Sequence, residues 1–109
     1  MYRSLPGLAV SLLMTATAWA GDPGAAREQQ LVAMLVHDCG SCHGTRLKGG
    51  LGPPLTASAL QHRPLVWVTQ IILNGSNGSA MPPWRGLLTP DEAGWIAAAL
   101  KSGKITGGS

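Results

Sequence analysis

Beyond residue 24, apolar positions gather into three stretches with helical spacing, and none shows the alternation of a half-buried strand. Residues 25–36 lack Gly and Pro, and Leu31, Met34 and Leu35 recur at helical spacing with Val32 beside them, predicting a first helix of about three turns. A second helix opens at Pro64, a residue tolerated in a first turn. Val68, Ile71 and Ile72 form its apolar stripe and Asn74-Gly75 its left-handed stop. The third opens on Thr89-Pro90-Asp91-Glu92, which reads as a capping box with a first-turn Pro and acidic charge at the positive helix end. It runs to about Lys101, burying Trp95, Ile96, Ala99 and Leu100, and Gly103 ends it.

Between these helices the pattern breaks down. Residues 39–54 carry five Gly and two Pro and are expected to form an irregular loop, followed by a short helical turn at 56–60. Residues 75–88 form a second loop, and the tail at 107–109 is expected to fray. The expectation is an all-α domain whose ordered part spans about residues 25–102. Its loops are long enough to imply that they hold something.

The first twenty residues read differently. Arg3, an apolar run over residues 8–18 and Ala18-Trp19-Ala20 have the form of an export signal cleaved after Ala20, leaving a domain at 21–109 in an oxidising, extracytoplasmic compartment, which the resemblance given below makes the periplasm. The run is too short for a membrane anchor, which needs about 20 apolar residues, so no membrane attachment is expected after cleavage.

Composition then narrows the core. The 109 residues are 45% hydrophobic and 12% charged, with no Phe, and cleavage would leave only Trp67, Trp84 and Trp95 as aromatics. A domain of that size is marginal on its own side chains and needs a covalent or metal staple. The net charge of +3 comes from eight basic and five acidic residues with no basic run, which excludes a nucleic-acid footprint.

Cys39-Gly40-Ser41-Cys42-His43 supplies the staple. C-x-x-C-H is the attachment signature of haem c: two thiols three residues apart add to the vinyl groups on one porphyrin edge, and the adjoining imidazole reaches the iron. Cys39 and Cys42 are then the thioether residues of one covalent haem, and His43 is an axial ligand. A redox dithiol would belong at a strand-to-helix junction, and a zinc site would need a second ligand pair; neither is visible. For the other axial position, Met81 in Ala80-Met81-Pro82-Pro83-Trp84 is the only Met beyond the motif and sits in a stiff loop. His62 is the rival, whereas His37 lies too close to Cys39 to cross the ring.

From Cys39 onward the chain resembles small class I-type cytochromes c in its order of first helix, C-x-x-C-H, Gly-Pro, middle helix, Met-Pro loop and last helix. Asp38-Cys39-Gly40-Ser41-Cys42-His43-Gly44, Gly49-Gly50-Leu51-Gly52-Pro53, Ile72-Leu73-Asn74-Gly75 and Ala80-Met81-Pro82-Pro83-Trp84 look like the short periplasmic cytochrome associated with cytochrome cd nitrite reductase in denitrifying bacteria. The resemblance implies a class I cytochrome c-like fold and a Pro53 carbonyl that accepts the Nδ1 proton of His43. Members often carry a Gly and an aromatic where Leu31 and Leu35 stand here, so a wider crossing of first and last helices is expected, with Leu35 against Trp95.

With both axial positions filled the iron has no place for substrate, which implies a one-electron carrier with no catalytic residues, and nothing in the chain suggests more than a monomer. The resemblance implies nitrite reductase as acceptor and a quinol-oxidising complex or another cytochrome as donor. Arg46, Lys48 and Arg85 flank the two loops and could steer such redox partners. Two alternatives stay open: an accessory role in maturation of the nitrite reductase haem, and a ligand-binding haem sensor.

Overall fold

The computed structural model describes residue 4, residues 6–13 and residues 23–106. The expected cleavage site at Ala18-Trp19-Ala20, Arg3 and the tail at 107–109 lie outside them. Residues 6–13 have no regular secondary structure, and no described helix is long and apolar enough to cross a membrane.

Helix α1 (Ala25–Met34) forms where the sequence has no breaker, with Glu28 in its positive first turn and Leu31 fully buried. It does not stop before the cysteines. One π-helical turn, Leu35–Cys39, passes directly into a short helix α2 (Gly40–His43). The irregular loop expected from Cys39 therefore starts five residues later, at Gly44. Gly40 acts here as a packing residue rather than a breaker: it is buried, and a Cβ on it would lie 3.4 Å from the Leu35 carbonyl oxygen.

Helix α3 (Ala57–Leu60) is the expected short turn, capped by Thr56 Oγ1, which accepts from Ala59 N at 3.3 Å. Helix α4 (Leu65–Asn74) starts after Pro64 and ends at Gly75. Its buried residues are Val68 and Leu73, with Ile71 and Ile72 only half-buried. The expected stripe was thus displaced, because this helix is apolar on nearly every side and periodicity alone selects no face.

Helix α5 (Pro90–Lys101) has the capping box the sequence predicts. Glu92 N donates to Thr89 Oγ1 at 3.1 Å and Thr89 N to Glu92 Oε1 at 2.9 Å. Ala93, Ile96, Ala97, Ala99 and Leu100 are buried, whereas Trp95 is only half-buried, with Lys104 Nζ 5.2 Å from its ring centroid. Lys101 reaches beyond its own helix, donating to the carbonyls of Leu60, at 2.9 Å, and Arg63.

The core joins Leu31 and Leu35 to Leu60, Val68, Ile96, Ala97 and Leu100, and the loops add Leu47 and Leu88. Leu47 is buried at a left-handed φ of 58°, an uncommon conformation for a branched residue. Close backbone contacts of α5 are with α4 and α3, while α1 meets it through side chains. One of these is the ion pair between Arg27 Nε and Glu92 Oε2. Among the described residues there is no strand, and the all-α expectation holds.

Candidate functional site

Cys39 and Cys42 lie one helical turn apart across the junction of the π turn and α2, so their side chains share a face. No disulfide joins the two; Cys39 is half-buried against the core and Cys42 is exposed. Burial, with the neighbouring Asp38 charge, pushes the Cys39 thiol up to about 11. A redox dithiol belongs at a strand-to-helix junction, and the described residues contain no strand. A zinc site is disfavoured too, since the described residues contain no group of three or more His, Cys, Asp or Glu side chains.

His43 closes α2, and the loop that follows folds back around it. Gly49 N donates to the His43 carbonyl at 2.8 Å and Gly52 N to the Cys42 carbonyl at 2.7 Å. This return brings the Pro53 carbonyl oxygen 2.6 Å from His43 Nδ1. A carbonyl can only accept, so Nδ1 carries the ring proton and Nε2 presents a lone pair. Among the described residues no hydrogen bond engages Nε2. The ring is also held sterically, because a Cβ on Gly52 would lie 2.8 Å from both its Cε1 and its Nδ1.

Met81 is half-buried in the second loop. Its carbonyl accepts from Ser76 N at 3.3 Å, and its own N–H donates to Ser79 Oγ at 3.3 Å. The loop returns onto α4, where Trp84 N donates to the Ile72 carbonyl at 3.0 Å. His37 is exposed on the π turn; His62 is exposed after α3, its Nε2 3.3 Å from Gln61 Nε2.

These residues suit a planar apolar cofactor with a metal centre. Two thiols and a free imidazole nitrogen lie on adjoining positions of one helical run, and a neutral imidazole with its second nitrogen tied to a carbonyl is the form that ligates iron. Beside it Leu51 is 96% exposed, an apolar side chain without protein to pack on. What pattern reading missed is the role of Gly52, and of Asn74 with Arg85 at the base of the second loop. The Gly-x-Gly-Pro spacing after the motif was the available signal for the first.

Residues 24–98 match the cytochrome family described as cytochrome C oxidase, cbb3-type, subunit III. The chain is 52% identical over 89 residues to cytochrome c55X of Paracoccus denitrificans (strain Pd 1222), spanning 82% of this chain and 86% of that one. The solved structure of the c-type cytochrome NirC superposes with a TM-score of 0.75 at 49% identity, over 76% of this chain and 98% of that chain. A further relative is the dihydro-heme d1 dehydrogenase of Pseudomonas aeruginosa, 34% identical over 97 residues, which are 88% of this chain and 18% of that enzyme.

Proposed function

The chain belongs to the cytochrome c family, alongside cytochrome c55X, and carries covalent haem c; from that membership we propose a periplasmic one-electron carrier that donates to nitrite reductase. Residues 1–20 are its export signal. When bound, the haem supplies an iron that changes oxidation state by one electron. Cys39 and Cys42 tether it through thioethers, which fix the ring relative to α2. His43 Nε2 would ligate the iron. Pro53 fixes the ring's tautomer and direction by accepting the Nδ1 proton. Met81 would supply a second iron ligand, and a thioether there would favour the reduced state.

One observation supports the haem-binding part of this reading: His43 Nδ1 is committed to the Pro53 carbonyl at 2.6 Å, so the free nitrogen is the one available to iron. The test is spectroscopy of the haem-loaded protein. The oxidised form should show the red charge-transfer band of Met–iron ligation, and the reduced form should ignore carbon monoxide. Met81→Ala should lose the band, lower the potential and open the iron, whereas His62→Ala should do none of these; a wild type without the band, whose iron His62→Ala opens and Met81→Ala does not, assigns the ligand to His62. The protein should also reduce purified nitrite reductase during turnover.

A second reading has its own support. The identity shared with a segment of the dihydro-heme d1 dehydrogenase favours an accessory role in maturing the nitrite reductase haem. Failure to reduce nitrite reductase, with electron exchange with that dehydrogenase intact, would select it.

A further inference from the structure

The chain after Met81 is tied to α4 more tightly than a connection requires. Trp84 N and Arg85 N donate to the Ile72 and Leu73 carbonyls at 3.0 and 3.1 Å, so the loop exit lies over the last turn of that helix. The Arg85 guanidinium adds two bonds to one acceptor, with Nε and Nη2 donating to Asn74 Oδ1 at 3.1 and 2.9 Å. Asn74 is itself aimed by its Nδ2, which donates to Gln70 Oε1 at 2.7 Å. Last-turn carbonyls lack intrahelical partners and form the negative end of the helix dipole, so amides and a guanidinium there satisfy both needs. At the loop entrance Gly75, at φ +73°, lies directly against the Met81 backbone: a Cβ would sit 2.6 Å from the Met81 carbonyl oxygen and 3.0 Å from Pro83 N.

We propose that Asn74 and Arg85 form a latch, pivoting on Gly75, that holds the Met81 loop closed and so governs how firmly Met81 stays on the iron. This rests on Met81 being the distal ligand. Arg85 then acts as a positioning residue, not as a free docking charge. An external ligand reaches the iron only while the loop is open, so its apparent affinity is the intrinsic one multiplied by the open fraction. Losing the guanidinium's paired bonds raises that fraction about tenfold.

The haem-loaded ferric protein is titrated with imidazole, and amide hydrogen exchange is followed across residues 76–85. Asn74→Ala and Arg85→Ala should each raise the apparent imidazole affinity about tenfold, toward the ceiling set by Met81→Ala. The double variant should gain no more than either single one, because the two share one contact. Asn74→Asp should restore wild-type affinity: its carboxylate still accepts from Arg85, and Gln70 can turn its amide to donate. The amides of Trp84 and Arg85 should exchange faster in the alanine variants while those of α5 do not. Both positions are exposed, so the variants should fold even where Gly75→Ala does not. If Met81→Ala raises imidazole affinity and neither alanine variant does, the latch is overturned and the ligand stands. If Met81→Ala matches wild type in affinity and charge-transfer band, the ligand reading fails and the latch falls with it.

Discussion

Replacing Gly52 with alanine puts a Cβ 2.8 Å from two atoms of the His43 ring. That is about 0.7 Å inside the ~3.5 Å at which carbon atoms begin to repel. The ring cannot retreat freely, because its Nδ1 is bonded to the Pro53 carbonyl at 2.6 Å. Either the imidazole swings and gives up a bond worth about 1 kcal/mol net, or the loop shifts at an overpacking cost of about 1–3 kcal/mol. A loss of about 2 kcal/mol is expected in guanidinium unfolding of the haem-loaded protein. If the bond breaks, the imidazole becomes a weaker donor and the reduction potential rises. Gly86→Ala is the matched control: nothing lies within 4 Å of its Cβ position and its φ is not left-handed, so the change should stay within about 0.5 kcal/mol. Unfolding of Gly52→Ala within that same margin, with an unchanged potential, would refute the steric reasoning.

Gly94→Ala should stabilise by about 0.5–1 kcal/mol, since the site is mid-helix in α5 with open space at the Cβ; a destabilised variant would show a contact overlooked. Thr89→Ala removes the cap of α5 and should cost about 1 kcal/mol in urea unfolding. Arg27, with the Thr89 N–H, holds the Glu92 carboxyl at about 2, below its ordinary 4.5. The folded value is the lower one, so this contribution is complete above about pH 4.5 and disappears as pH falls through about 2. Discounted for solvent screening it is worth about 1 kcal/mol, and Glu92→Gln should be weaker than wild type at neutral pH but equal to it near pH 2; a pH-independent gap would contradict the ion pair. Neutralising Arg46 and Lys48 should slow reduction of an acidic partner and flatten its salt dependence without altering the haem spectrum, and unchanged rates would remove the steering role.

Where a feature depends on residues within a turn of each other, the chain already declares it. The α5 cap is an exchange between Thr89 and Glu92, three residues apart, and it forms as the letters suggest. The C-x-x-C-H is likewise legible because covalent attachment and axial ligation both act at fixed short spacing. Local reasoning was misled at Gly40, where weak helix propensity argued for a break. The helix continues because Gly40 is buried close to the Leu35 carbonyl, and that packing outweighs propensity.

The sequence by itself determined three main helices, a haem motif and a Met-Pro loop, since each rests on local spacing and capping chemistry, whereas the helical run that carries the motif came only with the structure. Tertiary structure decided which face of α4 is buried, why Leu47 enters the core at a left-handed φ, and that Trp95 stays half out. It also joined Arg27 to Glu92 across 65 positions and Arg85 to Asn74 across 11. Such pairings leave no period in the chain. They are settled when the helices pack, by the burial of apolar surface and the pairing of polar groups that burial would otherwise strand.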